Sequence, residues 1–390
     1  MNIQKLVARH IRIPLRKPIK HASHERRETD NLLMECHLGN GIVGYGEGVP
    51  RDYVTGETIA SALAVLQKND LSPLKISPAS FEEAIRAIES WNITSIQQDD
   101  ARGISTHAVR CAVELAWLDA WGHYFQKPLS SVTNIIAPEL FQPRDRIQYS
   151  VAITSATGFK LAMQAMTRRW FGFKQCKVKV GIAGQNDVAR LRTIRKYMGS
   201  GMELRLDANE AWKVDEVAEH WEQLSPFQIR WVEQPVLHEE IGKLARIRAA
   251  IPMPVMLDES LCGMADAQQC VQERWGDLFN LRLSKCGGFI RTLKLAQFAQ
   301  QHRLGLQLGC QVGETAVLSA AGRHFACSVK GLLALEGSYD RWLVKESLGM
   351  HDITFGVGGK AAALNGPGLG IQIHHDAVER VTQSKVVILG

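Results

Sequence analysis

No run in this 390-residue chain is apolar for long enough to cross a membrane, and its first ten residues, MNIQKLVARH, hold no apolar signal core. The eight cysteines (36, 111, 176, 262, 270, 286, 310 and 327) include no C-x-x-C pair, so neither a zinc ribbon nor a dithiol redox motif is indicated. They fall mostly inside apolar runs, as small core residues do in a reducing compartment, and a cytoplasmic protein is expected. Low-complexity tracts are missing as well. A formal charge of +6 is mild for this length, and outside RHIRIPLRKPIKH near the start the basic residues are scattered. A nucleic-acid surface needs a concentrated basic stripe with aromatics interleaved, so no nucleic-acid partner is expected. Two glycine-rich stretches also fail as nucleotide loops. GYGEGV (44–49) lacks the third glycine of a dinucleotide fingerprint, and in GGKAAAL Lys360 is followed by alanine with the glycines misplaced.

What remains is a soluble globular composition, 45% apolar and 22% charged, long enough for a barrel plus a smaller domain. The first third reads as α+β. KLVARHIRIPL and DNLLMECHLGNGIVGYGEGV alternate like strands, with Gly-Asn-Gly as a hairpin turn. Helical periodicity covers 57–70, 80–91 and, most strongly, 106–126, where Pro128 breaks it. From residue 146 short apolar strands alternate with amphipathic helices at a period of roughly 25 residues, as βα repeats do. Eight strands fit IQYSVAI, CKVKVG, ELRLDAN, IRWVEQP, PVMLDES, LFNLRLSK, GLQLGCQ and LLALEGS. The fold class expected is α/β, a (β/α)8-type barrel over 146–340 with an N-terminal α+β capping domain over 1–135. A Gly-rich C-terminal segment, 341–390, is expected to pack back on the capping domain. Alternation alone leaves a doubly wound sheet open.

In QCKVKVG (175–181), period-2 alternation sends Lys177 and Lys179 to the same face. Two confined ammonium groups repel and lose solvation, so each is expected to shift toward the neutral amine, unless the strand is an edge with a wet face. Downstream, Asp207, Glu233, Asp258 and Lys285 close the third to sixth strands in steps of 26, 25 and 27 residues, close to the repeat itself. Equivalent positions on successive barrel strands line one rim, the C-terminal rim that carries barrel chemistry. Each carboxylate taken singly could just cap the following helix. Three in register repel unless a cation sits among them, and oxygen-only donors suit Mg²⁺, with Mn²⁺ also possible. Lys177 and Lys179 stand four strands from Lys285, on opposite sides of the mouth. A metal-bound substrate carboxylate would present its α-carbon to both.

The ordered set KVKVG, LDANEAW, WVEQP, LDES and LSKCGG resembles the enolase superfamily, and within it the muconate-lactonizing subgroup. VELAWLDAWGHYFQKPL (113–129) and GPGLGI (366–371) resemble the family's pre-barrel helix and closing motif, so the likeness covers most of the chain. The resemblance implies a Mg²⁺ site of Asp207, Glu233 and Asp258, with Lys179 and Lys285 as the acid/base pair. It makes Lys177 a helper that lowers the pKa of Lys179 and touches the substrate carboxylate. Asn209 then supports the metal or the substrate, Glu259 either supports the metal site or begins the next helix, and Glu314 lies near the active site. A small-molecule carboxylate substrate and a homo-oligomer are also implied.

Substrate choice in the subgroup falls to an N-terminal lid and the last strand ends. The lid candidates are 18–31, where His21, His24, Arg26 and Arg27 could bind an anionic arm or form a solvated charge run, and 46–58. The second resembles dipeptide-epimerase members, which carry Asp-x-Asp at the eighth strand end. Here LEGSYD stands in that place, so Glu336, or Asp340 reaching in, would have to take an ammonium, unless Glu336 is structural. Cys310 reads as a small core residue. The expectation is racemization or epimerization of an N-acylamino acid or dipeptide-like substrate, ahead of muconate-type cycloisomerization and syn-dehydration such as o-succinylbenzoate formation. A barrel that only binds is the non-enzymatic alternative.

Overall fold

The computed structural model describes residues 1–20 and 25–390. His21 and His24 of the first lid candidate lie outside the described residues. The N-terminal unit is an antiparallel sheet of β1 (Ile3–Lys20), β2 (Glu25–Leu38) and β3 (Val43–Gly48), in which the Gly39–Gly41 turn joins β2 to β3 as expected. The long helix His107–Phe125 lies against it, buried nearly all round.

Its contact with β3 explains the alternating glycines of GYGEG. A Cβ on Gly44 would stand 2.2 Å from Ala120 N, one on Gly46 2.0 Å from Ala112 O, and one on Gly48 2.0 Å from Ala108 O. The helix therefore sits on a bare stripe of strand backbone, one glycine per helical turn. Between these glycines Glu47 points the other way. It is fully buried and accepts from Thr315 N, Thr315 Oγ1 and Leu318 N at the start of helix Ala316–Ser328. Glu57 does the same for the long helix, accepting from Ala108 N and Val109 N. Carboxylates there satisfy amides that a helix start leaves unpaired.

The second unit is a parallel sheet of eight strands in chain order: β5 (Val151–Ile153), β6 (Gln175–Lys179), β7 (Glu203–Asp207), β8 (Ile229–Glu233), β9 (Val255–Leu257), β10 (Leu278–Leu281), β11 (Gly305–Leu308) and β12 (Leu332–Leu335). Ser150 N–H donates to Leu335 O at 2.8 Å, linking the first strand to the eighth and closing the ring. The barrel is thus the architecture that alternation left open against a doubly wound sheet.

Three details depart from the sequence reading. IQYSVAI is two strands, because Tyr149 N–H turns to Gly359 O while Ser150 N–H turns to Leu335 O. The piece before the break, β4 (Arg146–Gln148), pairs with β13 (Lys360–Ala362), so the Gly-rich tail returns first to the barrel. Only then does β14 (Thr382–Leu389) extend the N-terminal sheet beside β1. Finally, β10 ends at Leu281, and Lys285 lies four residues on, in a turn where Cys286, Gly287 and Gly288 N–H bond back to Arg282, Ser284 and Leu283 carbonyls.

Gly46→Ala should destabilise the protein by about 3 kcal/mol or more, because its methyl meets helix backbone that cannot rotate away. Urea unfolding of the purified variant checks this; an unchanged midpoint would contradict the close seat.

Candidate active site

Backbone pairing places the sequence-predicted residues on one rim. Lys179 pairs with Asp207, and Asp207 with Glu233, across β6, β7 and β8; Asp258 follows the last residue of β9. Strand ends bring these groups together because each repeat supplies one strand and stops it at the same height. Among the described residues, Asn209 (φ 42) and Gln234 (φ 38) adopt left-handed backbone directly beyond two of these strand ends. Such conformations cost about 1 kcal/mol or more and persist where surrounding bonds hold them. Gln234 is held that way: its Oε1 accepts from Asp258 N and Ser260 N, and its Nε2 donates to Val236 O and Ser260 Oγ.

The Lys177 ammonium lies 3.2 Å from Asp207 Oδ2, 3.3 Å from Glu233 Oε1 and 2.8 Å from Glu336 Oε2. Burial opposes its charge, but Glu233, Glu336 and Asp207 outweigh burial and hold it well above the ordinary lysine range. The expectation that Lys177 is pushed toward the neutral amine is therefore corrected. Neighbours from three other strands, invisible in KVKVG, decide its charge. Glu336 is held down at about 2: burial works against ionisation, while Lys177 and Arg205, the latter at 2.6 Å, prevail. Glu233, fully buried, is pushed up to about 8 by burial, with Asp207, Glu336 and Asp258 adding to the shift against Lys177. Asn280 Nδ2 and Gln307 Nε2 donate to its two oxygens. Asp258 lies between Arg282 and Lys285; burial is outweighed by both cations, and its carboxyl stays well below the usual range.

A cavity of about 280 Å³ opens over this cluster. Its polar floor includes Lys177, Lys179, Asp207, Asn209, Arg282 and Glu336, with Glu259, Cys310, Gln311 and Glu314 beside them. Its rim is apolar, with Ile19, Tyr53, Val54, Val312, Trp342 and Leu343. Lys179 Nζ donates to Asn209 Oδ1. Arg26 sits over the Tyr53 ring, 5.4 Å from its centroid, and so reaches the rim through Tyr53. Burial pushes the Cys310 thiol well up, in keeping with a protonated, non-nucleophilic cysteine. Glu314 accepts from Gln311 N, and burial pushes its carboxyl up to about 8. A larger cavity of about 460 Å³ opens where the strands begin, away from the convergent carboxylates.

The predicted residues that do not line the cavity include Glu233 and Asp258, both fully buried, and Lys285 and Asp340. Lys285 is fully buried beneath the floor and donates to Asp258 O, Asp258 Oδ1 and Asn280 O. Asp340 is engaged by Ser347 Oγ outside the cavity lining, its carboxyl pushed up to about 6 by burial. Three others were missed. Arg282 and Arg205 share the inward faces of Asn280 and Asp207 by simple alternation, and Arg282 follows Asp258 by 24 residues, as regular a step as the one to Lys285. Gln311 gave no signal; its side-chain amide is buried at the cavity with both polar atoms unpaired.

Among the described residues, no three carboxylate, histidine or cysteine side chains converge as a ready cation cage, since Lys177 and Arg282 stand between the carboxylates. The donor set itself suits a hard divalent cation. Asp207, Glu233 and Asp258 are oxygen donors on adjacent strands, and Glu233 carries a surplus of negative neighbours that a cation would relieve.

A family described as Enolase C-terminal domain-like matches residues 160–377. The chain belongs to the enolase superfamily. It is 29% identical over 379 residues to an N-succinyl-L-Arg/Lys racemase of Bacillus cereus, covering 95% of each chain. The crystal structure of the N-succinyl Arg/Lys racemase from that species superposes with a TM-score of 0.85 at 26% identity, covering 99% of this chain and 100% of that one. A hydrophobic dipeptide epimerase of Enterococcus faecalis is 28% identical, covering 85% of this chain and 89% of its own. A dipeptide epimerase from Cytophaga hutchinsonii, solved with Mg and D-Ala-L-Val, superposes at a TM-score of 0.83 with 25% identity and full coverage of both chains. These relatives are racemases and epimerases, in line with the reaction class expected from the sequence.

Glu336→Gln should cost about 3 kcal/mol at pH 7, because Lys177 and Arg205 lose a buried partner. The Glu336 carboxyl is depressed from 4.5 to about 2, so its stabilisation is complete above 4.5 and disappears as pH falls toward 2. Urea titrations at pH 7, 4 and 3 should show the gap between variant and wild type narrowing with acid; a constant gap would contradict the ion-pair account.

Proposed function

We propose that this protein is a Mg²⁺-dependent enzyme that removes the proton α to a carboxylate, acting on an N-acylamino acid or similar amide-bearing acid. The observation that carries the reading is the registered rim: Lys179 at one strand end, with Asp207 and Glu233 paired beside it and Asp258 next in order. Asp207, Glu233 and Asp258 would hold the metal, which supplies Lewis-acid stabilisation of charge developing on the substrate carboxylate, with Mn²⁺ an alternative. Lys179 faces the cavity and takes the proton; Asn209 holds its Nζ in place. Lys177 keeps its charge beside the carboxylates and favours an anionic substrate head. A cytoplasmic homo-oligomer belongs to the same reading, and among the described residues no helix is long and apolar enough to cross a membrane.

The relatives, racemases and epimerases, support α-proton removal as the step this site performs. On substrate, both acids of the eighth strand end are engaged, Glu336 by Lys177 and Arg205 and Asp340 by Ser347. That favours an N-acyl group over the free ammonium of a dipeptide. The unpaired Gln311 amide offers one donor and one acceptor to a substrate amide, and the apolar rim suits an apolar side chain.

With Mg²⁺ in D₂O, N-succinyl derivatives of apolar amino acids should lose their α-proton NMR signal faster than N-succinyl-Arg or free dipeptides. No exchange across the panel, alongside turnover of cis,cis-muconate, would replace this reading with cycloisomerization. Lys179→Ala should lower exchange by roughly 10³-fold. Chelation with EDTA should abolish exchange and Mg²⁺ or Mn²⁺ should restore it; exchange that survives chelation would remove the metal from the account.

A further inference from the structure

Inverting a carbon centre by proton transfer takes one group to remove the proton and another on the opposite face to return it. β6, which carries Lys179, and β10 lie four strands apart in the eight-stranded ring, so the β10 side is where an opposing group belongs. The cavity-lining side chain there is Arg282, next to Asp258 and 3.6 Å from Glu233. A guanidinium has five N–H donors and no acceptor, so it can hold charge but cannot receive a proton.

Lys285, four residues beyond β10, has no such freedom either. Its ammonium has three donors, and three protein acceptors take them: Asp258 O at 2.7 Å, Asp258 Oδ1 at 2.9 Å and Asn280 O at 2.9 Å. Its own carbonyl accepts from buried His107 Nδ1 at 2.7 Å, which fixes the turn from behind. Swinging Nζ into the cavity would strand two buried carbonyls, those of Asp258 and Asn280.

Resting on the α-proton reading above, we infer that the site works from one face. Lys179 both takes and returns the proton, while Arg282 is a fixed cation on the other face that positions the substrate and steadies its developing negative charge. The free amine of Lys179 removes the α-proton, and the C–H electron pair moves into the carboxylate as an enediolate. Returning that proton to the α-carbon restores the starting enantiomer. Where the substrate bears a β-hydroxyl on the same face, the Cβ–O bond breaks with its electron pair. The departing oxygen takes the proton from the Lys179 ammonium, and an alkene and water leave. No other reactant is needed. Net turnover therefore belongs to substrates with a same-face β-leaving group, and Arg282 is a positioning residue that sets this outcome.

The Mg²⁺-loaded enzyme is incubated in D₂O with N-succinyl-L-leucine; NMR follows deuterium entry and chiral chromatography follows the D-enantiomer. Deuterium should enter at least about 100-fold faster than the D-enantiomer appears. Arg282→Lys, which puts an amine on the opposing face, should raise inversion relative to exchange; an unmoved ratio would count against the assignment. Comparable exchange and inversion in the wild type would overturn the inference while leaving the α-proton reading intact, and loss of that inversion in Glu314→Gln would identify the opposing base. No exchange with any acid of the panel would overturn both.

Discussion

The barrel mouth depends on one buried ammonium. Lys177 is the point where carboxylates from three strands, Asp207, Glu233 and Glu336, are brought within ion-pair distance of a common partner. None of these acids is tenable alone in an interior that excludes water. Arg205 offsets the charge on Glu336, while Arg282 and Lys285 offset that on Asp258, so the cluster extends as alternating charges around half the ring. The arrangement is a constraint as much as a source of stability. Each side chain is held by a neighbour from another strand, so the strand ends must stay in register for these contacts to persist.

Much of this rim could be read in the chain because a repeating βα unit turns a sequence period into a position in space. Asp207, Glu233 and Asp258 were found that way, and Lys177 and Lys179 share a face by alternation. The same arithmetic could not separate Arg282 from Lys285. Both lie near one repeat from Asp258, and the choice depends on where β10 stops, which is set by bonds within the 282–288 turn. The charge of Lys177 was out of reach for a different reason. In KVKVG its nearest visible neighbour is another lysine, whereas the groups that fix its charge come from β7, β8 and the end of β12.

The fold followed a similar division. Strand and helix alternation was plain, but the break in IQYSVAI reflects two successive amides choosing partners about two hundred residues downstream, Gly359 and Leu335. The glycines of GYGEG were visible and unexplained; composition shows that side chains are missing, while only packing shows what occupies their place. Gln311 is the extreme case, a residue with no local pattern whose interest lies in what its amide does not touch.

β3 connects these two levels. One edge of its period is the bare backbone on which the long helix sits, and the other is Glu47, buried in the amides that begin helix Ala316–Ser328 of the barrel. A single short strand thus acts as a bolt through both units. Parting them as rigid bodies would expose a carboxylate and several helix amides at once. The apolar rim around Ile19, Tyr53 and Trp342 thus stands over two units pinned to each other by buried carboxylate-to-amide bonds.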